Sequence, residues 1–260
     1  MQARLIRMAG IAAAGAVLLA LPVVAQWKMA PGSGAPKKAD GTPNLTAPAP
    51  KMPDGKPDLS GIWEQDNLDH FRNLTADMKA EEVPIRPEAK ALRESRANGA
   101  RATEEPDANC LPQGVPKIMA APVPFKIVQT SNLIVHVYEA FNLWRQIHLD
   151  GRELIADPNP TWLGYSSGKW EGDTLVVDVR GLNGKAWLDT SGLPASDALH
   201  VTERWRRKDF GHMDLEITVD DPKIFTRPWT AKEPLHLVPG TELLEFICGE
   251  NEKDLPHLVK

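Results

Sequence analysis

The chain has 260 residues and a formal net charge of -5, with 30 Lys and Arg against 35 Asp and Glu, and 42% of its residues are hydrophobic. Its basic residues are scattered apart from Arg204, Arg206, Arg207 and Lys208, so nothing forms the basic face that nucleic-acid binding needs. Only two cysteines are present, which excludes a cysteine-rich metal or disulfide scaffold.

Residues 1–25 carry Arg4 and Arg7, an apolar run from Met8 to Leu21, and small residues ending at Ala25. This is the pattern of a secretory signal peptide cleaved near Ala25. The run is about 14 residues, short of the ~20 that a spanning helix needs, and no second run follows, so a membrane span is not expected. The mature chain is expected to be exported, in a periplasm or secreted. Residues 26–57 are rich in Pro, Gly and Ala and read as a flexible tether, because they cannot bury enough apolar surface to offset their ordering entropy. Residues 58–260 are long enough for one well-cored domain.

Gly61-Ile62-Trp63 begins that domain as a short strand. Pro87 to Asn98 reads as a surface helix, with proline in the first turn and Asn98-Gly99 as its stop. From Phe125 the period becomes two. Strands are expected over Leu133–Glu139 and Leu143–Leu149 around a three-residue loop, then Arg152–Ile155 after an Asp150-Gly151 turn. Further strands are expected over Thr161–Trp170, Thr174–Arg180, Leu199–Arg207, Met213–Val219 and Leu243–Cys248. The expected fold is mainly β, an antiparallel meander closing into a lipocalin-like barrel or sandwich with one or two surface helices near the N-terminus.

Alternation along Met213, Leu215, Ile217 and Val219 sets an inner face. The same rule puts Glu203 inside with Val201 and Trp205, and Glu245 inside with Leu243 and Ile247. In the first hairpin it puts Glu139 and Arg145 inside with Leu133, Val135 and Val137. If that hairpin's faces are reversed, Ile134, His136, Tyr138, Trp144, Gln146 and His148 line the interior instead. Buried carboxylates must be paired or protonated. They are either ion pairs with arginine or the acid–base groups of a polar pocket, in which Glu203 or Glu139 is the base and Arg145 holds an oxygen. Tyr138, Trp144, His148, Tyr165, Trp170 and Trp205 suit a flat or apolar ligand. His136 and His148 lack a third ligand for a metal. Gly164-Tyr165-Ser166-Ser167-Gly168 has the G-x-S-x-G spacing but leads into a turn and a strand, where a nucleophile elbow needs a helix. No cofactor fingerprint is present. Cys110 and Cys248, in an oxidising compartment, are expected to pair.

The run Gly164 to Val177, containing Trp170-Glu171-Gly172-Asp173-Thr174-Leu175-Val176-Val177, resembles that of a widespread group of exported bacterial proteins of uncharacterised function. The likeness extends through Asn109-Cys110-Leu111-Pro112, Asp150-Gly151-Arg152, Glu203-Arg204 and Asp221-Pro222. Gly61-Ile62-Trp63 is also similar to the G-x-W of lipocalin-type (calycin-like) first strands. The first resemblance implies export and no particular catalytic residue; the second implies a barrel fold alone. Three functions follow as expectations: binding of an apolar or aromatic small molecule, cofactor-independent acid–base catalysis of the isomerase, lyase or hydratase type, and an interaction module of the cell envelope.

Overall fold

A computed structural model describes residues 34–250; the expected signal peptide lies outside the described residues. The described strands are β1 (Gly61–Gln65), β2 (Phe125–Gln129), β3 (Leu133–Tyr138), β4 (Trp144–His148), β5 (Tyr165–Glu171), β6 (Thr174–Arg180), β7 (His200–Arg207), β8 (His212–Asp220) and β9 (Trp229–Leu237). Among the described residues these nine close into one barrel in sequence order. Two α-helices, α1 (Asp69–Arg72) and α2 (Pro87–Arg96), lie in the β1–β2 connection. Pro87 opens α2, and Asn98 beyond its end takes a left-handed φ of 57°, as a helix stop requires.

Strand direction must return to itself around a closed ring, so nine strands cannot all pair antiparallel. The exception is β4–β5, which is parallel and short: only Ile147 with Ser166 and His148 with Ser167 are in register. Residues 149–164 make the long crossover that a parallel pair demands. The expected strand over Arg152–Ile155 is therefore absent; Asp150 turns the chain by binding Arg152 through its backbone N–H and side chain, and no returning strand follows.

Residue alternation buries Met213, Leu215, Ile217 and Val219 of β8 together with Val201, Glu203 and Trp205 of β7, as the sequence implies. In the first hairpin the register differs from expectation by one residue. The Tyr138 N–H donates to the Leu143 carbonyl, so the loop comprises residues 139–142, with Phe141 and Asn142 at φ 59° and 51°. One extra loop residue flips one strand relative to the other. Ile134, His136 and Tyr138 of β3 face inward, and so do Arg145 and Ile147 of β4.

The last strand is β9, and the expected strand over Leu243–Cys248 is an irregular strap. Pro234 interrupts the β9 pattern in sequence, yet its carbonyl faces Asp66, just past the end of β1. Its missing N–H therefore falls on that same side, at the very end of the β1–β9 ladder, whose last registered pair is Gln65 with Leu235. The strap runs from Leu237 back to the β3–β4 loop. Asn142 donates to the Phe246 carbonyl and accepts from its N–H, Phe141 packs edge-on to Phe246 at 5.3 Å, and Cys248 is disulfide-bonded to Cys110. Leu243, Glu245 and Ile247 thus form no inner face, and Ile247 is 48% exposed.

Within the segment expected to be a tether, Leu45 and Ala47 accept backbone hydrogen bonds from Gly211 and Phe210 of the β7–β8 loop. At that end of the barrel Arg207 lies 4.9 Å from the Trp63 ring centre. Its guanidinium donates to carbonyls of Ser60, Asp58, Asp209 and Phe210. Burial lowers its pKa to about 10.

Candidate functional site

Arg145 and Glu203 are brought together by strands far apart in the chain. Arg145 sits opposite His136 on β4, and Glu203 sits between Val177 and Ile217 on β7. Two parallel bonds join them: Nη1 to Oε1 at 2.8 Å and Nη2 to Oε2 at 3.1 Å. The Trp205 indole donates to Glu203 Oε2 at 2.9 Å, and Arg145 Nε donates to Ser166 Oγ at 2.8 Å. Both charged side chains are almost wholly buried, at 1% and 0% exposure. Fork-to-fork geometry with extra donors is what an ion pair needs to survive in a core.

Two further groups share this interior. Burial, followed by the nearby Arg145 charge, pushes His136 well below its ordinary value, so the ring is neutral. Its Nδ1 lies 3.2 Å from the Tyr138 hydroxyl. Burial pushes the Tyr138 hydroxyl up to about 12, which keeps it protonated. Burial alone would lower the Arg145 pKa, but charge and hydrogen bonding from Glu203 and Tyr138 together outweigh it and raise it.

The short β4–β5 pairing leaves the barrel wall open at the start of β5. A cleft of about 500 Å³ occupies that seam, walled by Leu143, Trp144, Trp162, Leu163 and Tyr165, with Arg145 and Ser166 also lining it. Trp144 is 62% exposed at its rim. Crossover residues Arg152 to Ile155 form the far wall, and Pro112, two residues from the disulfide-bonded Cys110, closes one side. The Tyr165 hydroxyl is held by the Asn159 carbonyl at 3.1 Å, which fixes the ring against the crossover.

The residues singled out in the sequence therefore separate into groups. Glu203, Arg145, Tyr138 and Trp205 meet in the barrel interior. Trp144, His148 and Tyr165 line the seam cleft. Trp170 pairs with Leu175 near the other end of β5, away from that cleft. Glu139, expected inside, sits in the β3–β4 loop and accepts the Leu244 N–H at 2.9 Å; the one-residue change of register puts it there. Ser166 is an inward residue of a continuous strand, so the G-x-S-x-G spacing makes no elbow.

A second buried polar cluster has no counterpart in the sequence reading. His70 of α1 places Nδ1 3.0 Å from Glu233 and Nε2 3.0 Å from Asp77. The Asp77 carboxylate also receives the Lys232 N–H. Glu233 belongs to β9, and recognising that strand through Pro234 would have placed this carboxylate inside. Lys117, also buried, is bound by Glu105 and Asp107. Among the described residues no group of three or more His, Cys, Asp or Glu side chains converges as a metal site, and no helix is long and apolar enough to cross a membrane.

No protein-family model, curated protein or solved structure matches this chain. The class defined by the fold is a closed β-barrel with a buried ion pair and a lateral cleft.

Proposed function

We propose that this is an exported barrel protein that binds an apolar or aromatic small molecule in the cleft at the β4–β5 seam. The observation that carries this reading is the cleft itself. Its volume of about 500 Å³ falls in the range typical of small-ligand sites, and its walls of Trp144, Trp162, Tyr165, Leu143 and Leu163 make its surface mainly apolar and aromatic. The disulfide and the Arg4–Ala25 leader pattern support export, as does the resemblance noted above to exported proteins; the Gly61-Ile62-Trp63 likeness to lipocalin-type barrels supports the barrel part of the reading.

Binding is favoured over acid–base turnover because both Glu203 oxygens are engaged, by Arg145 and Trp205. Accepting a substrate proton would require breaking the pair in a buried site. Calorimetric titration with 2-ethylnaphthalene tests the reading. Saturable one-to-one binding is expected, weakened about tenfold by Trp144→Ala, as for an aromatic anchor, and unaffected by Trp170→Ala. Absence of saturable binding, or equal effects of the two substitutions, would overturn it.

A further inference from the structure

Resting on that reading, we infer that Ser166 selects the ligand: the seam cleft takes an aromatic molecule carrying one neutral carbonyl oxygen, which accepts a hydrogen bond from the Ser166 hydroxyl. A serine hydroxyl has one proton and two lone pairs. The Ser166 oxygen already accepts from Arg145 Nε at 2.8 Å. Arg145 has no lone pair to offer in return, so the Ser166 proton must turn elsewhere, and no acceptor for it occurs among the described residues' hydrogen bonds. Ser166 is 2% exposed and lines the cleft. A buried donor left without a partner is costly, and a ligand oxygen in the cleft supplies one.

The charge state of the site selects the kind of oxygen. Arg145 is neutralised by the paired Glu203 carboxylate, and Arg152 on the far wall by Asp150, with Glu153 beside it, so the seam offers no net positive charge. An anionic ligand would lose its hydration against a neutral ion pair. A ketone, aldehyde, ester or amide loses far less and still accepts the bond. The guanidinium, by donating to the Ser166 oxygen, polarises the hydroxyl and strengthens it as a donor. Glu203 and Arg145 are positioning residues in this arrangement, and of the three polar residues only Ser166 touches the ligand.

Three probes of similar size separate the possibilities by calorimetry: 2-acetylnaphthalene, 2-ethylnaphthalene and 2-naphthoate. The intact protein is expected to bind the ketone about tenfold more tightly than the ethyl compound, the size of one ordinary hydrogen bond, and to bind naphthoate more weakly than the ketone. Ser166→Ala should bring the ketone and ethyl affinities together. The ratio of two probes within one variant cancels any general loss of folded protein. Infrared spectroscopy of the bound ketone on unsubstituted protein gives an independent readout: its carbonyl stretch should shift to lower frequency than in cyclohexane. Equal binding of ketone and ethyl probes, tightest binding of naphthoate, or an unshifted carbonyl band would each overturn the assignment of Ser166 while leaving the cleft as a binding site. Failure of the ethyl probe itself to bind would instead overturn the cleft reading on which this one rests.

Discussion

Arg145 and Glu203 face each other across the barrel interior with two parallel hydrogen bonds, although 58 residues separate them in the chain. With both side chains buried, removing one leaves the other as an uncompensated charge. Glu203→Leu or Arg145→Met alone is therefore expected to cost about 3–5 kcal/mol, whereas the double substitution returns close to the parent stability. Denaturant unfolding of the four proteins measures the coupling directly. Additive losses in the double variant would show that the pair does not act as a unit.

The His70 cluster gives the fold a pH dependence of known sign. Burial alone would lower the His70 pKa, but the Glu233 carboxylate 3.0 Å from Nδ1, followed by the Asp77 charge, raises it above its ordinary 6.5. The folded chain thus holds this proton more tightly than the unfolded chain. The stabilisation is complete below about pH 6.5 and fades as pH rises through the raised value. Burial, the largest influence on Glu233, raises its pKa too, and so also favours the protonated cluster as pH falls. His70→Gln is expected to cost about 1.5–3 kcal/mol at pH 6, as for a hydrogen bond to a charged group. That difference should shrink towards pH 9 in urea titrations of the two proteins. A difference that grows with pH would contradict the assignment.

How much of this was legible depended on local pattern. The clean alternation of β8 and the Glu171-Gly172-Asp173 turn fixed two strand pairs, and with them the inward position of Glu203. In the first hairpin the sequence pattern gives a loop one residue too short, because nothing in Ala140-Phe141-Asn142 announces that Phe141 and Asn142 both adopt positive φ. That single residue moved Glu139 out and His136 and Tyr138 in. Strand β9 was hidden by Pro234, whose tolerance depends on where β1 stops, a tertiary fact. The cleft was equally hidden. It arises from the parity of a nine-strand ring and the crossover 149–164, neither of which has a local sequence signature.

The disulfide restrains the strap more than it restrains the ladder. Cys110 and Cys248 are 138 residues apart, a loop whose closure the chain-entropy model values at about 5 kcal/mol. The strap itself rests on few contacts: Phe246 with Phe141 and Asn142, and Leu244 with Glu139. On reduction the strap should open before the barrel, because β9 and β1 close the ring without it. Amide exchange at Leu244 and Phe246 is expected to accelerate on addition of dithiothreitol while β8 amides stay protected. Equal acceleration in β8 would mean that the cross-link supports the barrel as a whole.

Gly168 sets how closely β5 approaches the end of β4. A methyl group there would stand 2.8 Å from Leu149 Cδ2, 3.0 Å from Ile147 Cγ2 and 3.2 Å from Leu175 Cδ1. Leu149 begins the crossover and Ile147 is one of the two β4 residues in register with β5, so the clash falls on the seam itself. Gly168→Ala is expected to cost about 1–3 kcal/mol through overpacking, and the larger Gly168→Val should cost more. Leu149→Ala is expected to recover part of that loss in the Gly168→Ala background, since it removes the atom in tightest contact. Thermal unfolding of the two single variants and the double variant measures the recovery. Strict additivity would show that Leu149 is not what limits the approach of the strands.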